Sequence, residues 1–396
     1  MSLVCIDCRY VNGLPSGIGE LVRGLVAHLP RLAPDLRFRL LTSPRLPEPL
    51  SLESNVEHVP LAVHVNGPGT MWCLPELANL RGVGLFHATA NMMPARLPMP
   101  CVTTIHDTMW LTDPQLCTAG PLRPLRHAFH AHGIRRALGH AAAIAVVSKA
   151  TQAAVLACAP QAGARTHLTL SGVSEDFRPV PPQPEALRGL GLDPARRFVL
   201  TVGQYAPYKN HEGAVRAFAL ACESHDDVDL VLVQRKGAQA QTLLDLAGRL
   251  GVAHRVHLLR AVTPADLHQL YRGASLLLHP SLCEGFGNPL AEAMASGCPV
   301  VTANLSAMPE VTAGAALLAD PRSPSALAAA MGRILGDPAL ARVLRRKGLA
   351  RAAELGWERF AEANLRIYRQ LLPASAAASQ DSVPSPQPPR LAGQGL

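Results

Sequence analysis

Short apolar runs alternate with helical patterns along almost the whole chain, and this alternation limits the folds that the chain can adopt. The runs predicted as strands are residues 3–6, 37–41, 84–87, 101–105, 142–147, 198–202, 230–233, 256–259, 275–278 and 299–301. Helical patterns lie between them, for example at residues 20–29, 213–221, 240–250 and 289–295. Such alternation is typical of parallel sheets that are covered by helices on both faces. The predicted fold class is therefore α/β, with doubly wound Rossmann-like sheets.

The chain is long enough for two domains, because its 396 residues exceed what one hydrophobic core usually serves. Residues 177–196 carry four prolines between positions 179 and 184 and are predicted as an irregular linker. This places one domain at residues 1–176 and a second at 197–372, with the option that the last helix returns to the first domain. Residues 373–396, rich in Ala, Ser, Pro and Gln, are predicted to be disordered. A ligand is expected in the cleft between the two domains.

The net charge and the distribution of apolar residues indicate which partners the protein can bind and where it is located. The chain has 37 Lys and Arg against 29 Asp and Glu, for a net charge of +8. This excess suits phosphate-bearing substrates or peripheral contact with an anionic membrane, whereas nucleic acid is not expected because no basic run is interleaved with aromatic residues. With no signal peptide and no apolar run of about 18 residues, the expected location is the cytoplasm, including the inner face of the membrane.

The segment Glu284-Gly-Phe-Gly-Asn-Pro-Leu-Ala-Glu292 carries the clearest chemistry. It follows a predicted strand and forms a glycine-rich loop before a short helix, for which Asn288 suits the N-cap and Pro289 the first position. Free loop N–H groups at a helix N-terminus bind anions, and a diphosphate fits such a site. The two glutamates can accept hydrogen bonds from sugar or ribose hydroxyls. The alternative is that both are ordinary surface residues and that Phe286 is a core residue.

This segment, with the Ala-Met-Ala-Ser-Gly-Cys-Pro-Val-Val that follows it, resembles the E-x7-E region of retaining family 4 glycosyltransferases (glycosyl transferases group 1). The Lys-Asn and Glu-Gly-Phe-Gly variants of this chain resemble those of bacterial mannosyltransferases, and the likeness to the family continues through Met308-Pro-Glu310. It implies the GT-B fold, in which two Rossmann-like domains face each other across the active site. It also implies that Glu284 contacts the transferred sugar and Glu292 the nucleoside ribose. The implied backbone contacts to the diphosphate come from Gly285, Phe286, Gly287 and Asn288.

A second segment, Gly203-Gln-Tyr-Ala-Pro-Tyr-Lys209-Asn210, resembles the strand and loop that open the second domain in this family. The resemblance implies that Lys209 contacts the diphosphate, where a cation stabilises the charge of the leaving group. Many relatives carry an arginine close to this lysine, but this chain has Gln204 and Tyr208 there. Arg235 or Lys236, which follow the predicted strand 230–233, are candidates to replace it.

The first domain contributes two further segments. Gly17-Ile-Gly19 follows the first strand and resembles the family's Gly-x-Gly loop, which lines the cleft near the donor phosphates and the acceptor. His106 and Asp107 follow the predicted strand 101–105 and resemble a His-Asp pair near the transfer centre. The resemblance places His106 near the anomeric carbon, with Asp107 as its orienter, and makes the first domain the acceptor side.

The implied reaction moves a hexose from a nucleoside diphosphate to a hydroxyl of a glycan or lipid-linked acceptor, with retention of configuration, in bacterial cell-surface polysaccharide assembly. GDP-mannose is favoured as the donor, and a UDP-hexose is the other candidate. No tightly bound cofactor is expected, and no metal, because no Asp-x-Asp motif stands at a strand end. Another GT-B activity, such as a sugar-nucleotide epimerase, and a non-catalytic sugar-nucleotide-binding protein are the alternatives. A dehydrogenase is disfavoured, since Val22 stands where the third glycine of Gly-x-Gly-x-x-Gly belongs.

Overall fold

The computed structural model describes residues 1–12, 16–117, 122–234, 239–260 and 262–373, and within them the chain forms two parallel sheets. The strands are β1 (Leu3–Asp7), β2 (Arg37–Thr42), β3 (Val56–Pro60), β4 (Val83–Ala88), β5 (Cys101–Ile105), β6 (Ala143–Val146), β7 (Thr166–Leu168), β8 (Arg197–Val202), β9 (Val228–Val233), β10 (Val256–Leu259), β11 (Leu276–His279), β12 (Val300–Ala303) and β13 (Ala316–Ala319). Each predicted strand overlaps one of these. Strands β3, β7 and β13 were not predicted.

The sheets have the strand orders β3-β2-β1-β4-β5-β6-β7 and β10-β9-β8-β11-β12-β13. The pairings of the central strands are parallel, as in β1 with β2 and β4, and in β8 with β9 and β11. The strand order therefore reverses between β1 and β4 in one sheet and between β8 and β11 in the other. In open parallel sheets, ligands bind at the carboxyl ends of the strands at such a reversal.

Helices cover both sheets, which confirms the predicted α/β class. The helices are α1 (Gly17–Leu32), α2 (Pro68–Leu77), α3 (Met109–Thr112), α4 (Pro114–Cys117), α5 (Arg123–His140), α6 (Lys149–Cys158), α7 (Pro184–Gly189), α8 (His211–Ala221), α9 (Gln239–Arg249), α10 (Pro264–Gly273), α11 (Asn288–Ala295), α12 (Met308–Thr312), α13 (Pro324–Gly336), α14 (Pro338–Ala352) and α15 (Trp357–Leu371). None of the helices in the described residues is both long and apolar enough to cross a membrane.

The proline-rich linker is less irregular than its composition predicts. Residues 184–189 form α7, with Pro184 in the first turn, where a missing N–H costs no intrahelical hydrogen bond. The expectation of irregular structure is therefore wrong for this part of the linker. Arg235, Lys236 and residues 374–396, for which a replacement cation and disorder were predicted, lie outside the described residues.

Helix α15 follows the second sheet in the chain but packs against α1, on the first sheet. Its Trp357 ring lies against Gly24 so closely that a Cβ atom added to Gly24 would be 2.2 Å from the ring. The Tyr368 hydroxyl is 2.5 Å from Nδ1 of His87, a buried residue of β4. One continuous apolar cluster therefore contains residues of both sheets and of α15.

Candidate active site

The carboxylate of Glu284 is the centre of the site and is held by three side chains, which lie in loops or at the end of a strand. Its Oε1 atom is 2.6 Å from Nζ of Lys209, 2.7 Å from Oγ of Ser281 and 3.0 Å from Nε2 of His279. Among the described residues, no donor contacts Oε2. One carboxylate oxygen is thus fixed by the protein, while the other can accept a hydrogen bond from a ligand.

Lys209 and Glu284 form a nearly buried ion pair, with 11% and 9% of their side chains exposed. Burial by itself would raise the pKa of Glu284, but the Lys209 ammonium and the hydrogen bond from His279 hold it well below its usual value. Burial would likewise lower the pKa of Lys209, but Glu284 raises it. Burial lowers the pKa of His279, so this ring donates to Glu284 as a neutral imidazole. The pair is therefore ionised at neutral pH.

The glycine-rich loop presents its backbone N–H groups without acceptors. No hydrogen-bond partner within the described part of the chain satisfies the N–H groups of Gly285, Phe286 and Gly287. The side chain of Phe286 is 5% exposed and belongs to the apolar core, so only its backbone can meet a ligand. Three free N–H groups directly before the first turn of α11 form a cradle for an anion.

The start of α11 differs from the prediction in one detail. Gly287, with φ of +90°, occupies the N-cap position, and Asn288 is the first helical residue. The predicted N-cap role of Asn288 is therefore wrong, because a left-handed glycine already turns the chain into the helix. The Asn288 side chain instead faces the first domain, where a Cβ atom added to Gly17 would lie 3.4 Å from its Nδ2.

Glu292 lies one turn further along α11 and has a different environment. Its Oε2 accepts a hydrogen bond of 2.7 Å from the hydroxyl of Tyr271, on α10. Burial, with a smaller contribution from the nearby Glu20 of α1, raises the pKa of Glu292 to about 7. Glu284 and Glu292 therefore flank the cradle with different protonation behaviour.

The loop that follows β8 supports Lys209. The aliphatic stem of Lys209 packs on Gly203, where an added Cβ atom would lie 3.3 Å from Cδ. Asn210 accepts a hydrogen bond from the N–H of Gly213 at the start of α8, and its Nδ2 donates to the carbonyls of Pro280 and Pro321. This loop is thus tied to the end of β11, which explains how a lysine on a flexible stem reaches Glu284.

On the first domain, His106 and Asp107 lie at the end of β5. The His106 ring donates from Nε2 to the carbonyl of Thr89, at 2.8 Å, and its backbone N–H donates to Asn91. Burial lowers the pKa of His106, so the ring is neutral. The Asp107 carboxylate instead accepts from the N–H of Met109, and burial raises its pKa. The predicted orienting role of Asp107 is therefore wrong: the Thr89 carbonyl orients the ring.

The two halves of the site meet directly. A Cβ atom added to Gly285 would lie 1.7 Å from the carbonyl oxygen of His106, so these backbones are in contact. The predicted residues of both domains consequently face one cleft. In the first domain, Ser16 accepts from the N–H of Gly19 and caps α1, whereas Ser148 caps α6 by accepting from the N–H of Thr151.

Several contributing residues were not predicted. His279 and Ser281 directly precede the glycine-rich loop, so their place at a strand end was a usable signal. Tyr271 and Ser306, whose hydroxyl bonds the backbone of Glu284, carried no such signal because they are distant in sequence. In the described residues, no three His, Cys, Asp or Glu side chains are grouped as metal ligands would be.

Comparison with known proteins shows what the second domain is similar to. Residues 182–351 match the model of glycosyl transferases group 1. The D-inositol 3-phosphate glycosyltransferase of Segniliparus rotundus is 34% identical over 199 residues, which are 49% of this chain but only 44% of that relative. The O-antigen chain mannosyltransferase B of Escherichia coli is 29% identical over 72% of this chain and 74% of its own length.

Solved structures agree on the fold. Sucrose-phosphate synthase from Thermosynechococcus elongatus aligns with a TM-score of 0.74 over 94% of this chain and 99% of its own, at 22% identity. The HepE protein of Anabaena, solved in complex with UDP and glucose, aligns with a TM-score of 0.68 over 94% and 100%, at 19% identity. The two facing sheets define a GT-B protein. Residues 182–351 match the glycosyl transferases group 1 model, so this part of the chain is a domain of that type.

Proposed function

We propose that the chain is a retaining hexosyltransferase that uses a nucleoside-diphosphate sugar, with GDP-mannose favoured over a UDP-hexose. The observation that carries this proposal is the anion cradle of residues 285–287, flanked by the carboxylates of Glu284 and Glu292. The diphosphate is bound by the free N–H groups, the helix N-terminus and Lys209. An ionised carboxylate repels phosphate but accepts hydrogen bonds from hydroxyl groups. A nucleoside-diphosphate sugar has this order of groups: sugar, diphosphate and ribose.

In this proposal, each residue of the site contacts a different part of the donor. Glu284 accepts from the sugar hydroxyls through Oε2, Glu292 accepts from the ribose, and Lys209 stabilises the departing diphosphate. The bond between the anomeric carbon and the diphosphate breaks while the acceptor oxygen attacks the same face. The acceptor proton passes to the departing phosphate oxygen. The neutral ring of His106 lies beside the anomeric carbon, and neither a metal nor a tightly bound cofactor is required.

The names of the relatives supply the remaining support. O-antigen chain mannosyltransferase B favours mannose and a glycan or lipid-linked acceptor in cell-surface polysaccharide assembly. The HepE complexes with UDP and glucose keep a UDP-hexose as the other donor.

A thermal-shift panel with UDP, GDP, UDP-glucose and GDP-mannose tests donor binding, since a ligand at a hundred times its Kd stabilises the fold by about 2.7 kcal/mol. Transfer from the best ligand is then followed by NMR of the anomeric proton in the product, with and without EDTA. Loss of transfer in Glu284→Ala and Lys209→Ala supports the site. Unchanged turnover in both variants would overturn it, and donor binding without transfer to any acceptor would indicate a non-catalytic binding protein.

We further propose that the protein works in the cytoplasm at the inner face of the membrane, through electrostatic attraction between its net charge of +8 and anionic lipids. Sedimentation with phosphatidylglycerol vesicles should decline steeply as salt rises. Binding that does not change with salt would exclude this electrostatic contact.

A further inference from the structure

The first turn of α6 touches both the transfer centre and the opposite domain. We infer that Thr151 and Glu310 form a clamp between the domains, which completes the diphosphate cradle only when the cleft is closed. This inference rests on the proposed function for the identity of the anion. Both residues act through the backbone of other residues, so they are positioning residues.

Glu310, on α12 of the second domain, holds the end of a helix in the first domain. Its two carboxylate oxygens accept hydrogen bonds from the N–H groups of Lys149 and Ala150, at 2.9 and 3.0 Å. These N–H groups belong to the first turn of α6 and have no partner within the helix. A carboxylate at the positive end of a helix dipole is also favourable. The second domain therefore supplies part of the N-terminal cap of α6.

Thr151, two residues beyond Lys149, connects the two halves of the transfer centre. Its side chain is buried, and its Oγ1 atom is 3.0 Å from the carbonyl oxygen of His106 and 3.2 Å from that of Gly285. A hydroxyl has one proton, so the two carbonyls share it in a three-centre hydrogen bond. His106 and Gly285 belong to opposite domains. The bond to Gly285 therefore exists only while the cleft is closed.

Because the peptide bond is planar, the contact of Thr151 with the Gly285 carbonyl also fixes the direction of the Phe286 N–H in the cradle. In a planar trans peptide, the C=O of Gly285 and the N–H of Phe286 point in opposite directions. A hydroxyl that holds the Gly285 oxygen thus aims the Phe286 N–H away from α6. This N–H is one of the three that have no acceptor among the residues described. When the domains separate, Thr151 releases the carbonyl and the peptide group becomes free to rotate.

The phosphate-specific part of the inference is tested by calorimetry. Thr151→Val removes the hydroxyl, Thr151→Ser keeps it, and Thr166→Val is the matched control, because Thr166, in β7, donates to the backbone carbonyl of Ala162. Each variant is titrated with UDP and GDP, and with uridine and guanosine as ligands without phosphate. We expect Thr151→Val to weaken binding of the preferred nucleoside diphosphate about 5- to 10-fold, as for one lost hydrogen bond, and to leave nucleoside binding unchanged. The serine and control variants should match the wild type.

Unchanged diphosphate binding in Thr151→Val would overturn the inference, and so would equal losses for nucleoside and nucleoside diphosphate.

The clamp is tested separately without any nucleotide, by the distance between spin labels on the two domains. Glu310→Ala should lengthen this distance, whereas Glu53→Ala, which removes a carboxylate paired with Arg31 within the first domain, should not. An unchanged distance would overturn the clamp. Failure of the wild type to bind UDP and GDP would instead overturn the proposed function, while the distance measurement still decides on the clamp.

Discussion

Lys209 and Glu284 show how the chemistry depends on single residues. They are 75 positions apart in the chain, and each is the other's charged partner. The sequence motifs identified both residues but predicted a different contact for each, since a motif says nothing of which distant side chain it meets. Two buried charges stabilise each other, and removing one leaves the other without compensation. The same reasoning applies to Tyr271, whose contact with Glu292 could not be predicted.

Replacing Lys209 alone should therefore destabilise the protein as well as abolish transfer. We expect Lys209→Met to lower the free energy of unfolding by about 3 kcal/mol, because Glu284 then stays buried without a cation. The double variant Lys209→Met/Glu284→Gln should recover most of this loss but no activity. Urea unfolding provides the measurement. A single variant that is as stable as the wild type would show that the pair contributes nothing.

Glu292 predicts a pH dependence of donor binding. Its pKa of about 7 means that about half of the carboxyl groups are protonated at pH 7. Ribose hydroxyls donate more strongly to the ionised form, so the apparent affinity should rise with pH through 7. If only the ionised form binds, the change between pH 6 and pH 8 is about tenfold. Glu292→Gln should bind weakly at both values and show only the titration of the nucleotide itself. If donor affinity changed equally with pH in the wild type and in Glu292→Gln, this role of Glu292 would be contradicted.

At the scale of secondary-structure elements, the central strands were predictable because they are buried on both faces and appear as continuous apolar runs. The strands that were missed, β3, β7 and β13, all lie at the edges of the two sheets. Each is partly exposed. The sequences of β3 and β7 are mixed and carry no apolar run, whereas the apolar run of β13, Ala316–Ala319, could have been predicted. The start of α11 was placed one residue late for a different reason. Proline and asparagine suit several positions of a first turn, and only the backbone angle of Gly287 decides between them.

The packing of α15 on α1 can be tested with glycine substitutions. Gly24→Ala adds a methyl group where the Trp357 ring lies, and we expect it to lower stability by about 1–3 kcal/mol, as in other overpacked cores. Gly139→Ala is the control, because Gly139 is exposed in α5 with open space around it. That change should raise stability by about 0.5–1 kcal/mol, since alanine favours helix. Thermal unfolding distinguishes the two, and similar shifts in both would contradict the close contact.

At the scale of the whole molecule, the backbones of the two domains touch where the cleft closes. Gly285 touches the His106 carbonyl, so no side chain fits at this position while the domains face each other in this way. The α/β class and the domain that carries the E-x7-E segment could be inferred from sequence. The contact between the domains could not, because the residues that form it lie in separate motifs.

Gly285→Ala should consequently hold the domains apart without unfolding either. We expect transfer to fall at least about 100-fold, since small displacements in an active site have effects of that size. The unfolding temperature should change by only a few degrees. Small-angle X-ray scattering should show a larger radius of gyration than for the wild type or for Gly248→Ala, a control in α9 with open space around it. A compact, active Gly285→Ala protein would contradict the closed contact.

The chain crosses between its two sheets twice, and the crossings lie side by side. On the outward path the N–H of Val173 donates to the carbonyl of Leu355 on the return path, at 3.0 Å, and Val173 pairs with Gly356 as a parallel bridge. Two adjacent, hydrogen-bonded crossings form an interdomain hinge. Such an arrangement favours rotation of the domains over sliding. We therefore expect the domains to open by rotation at these crossings, which separates His106 from Gly285 and returns them to the same alignment.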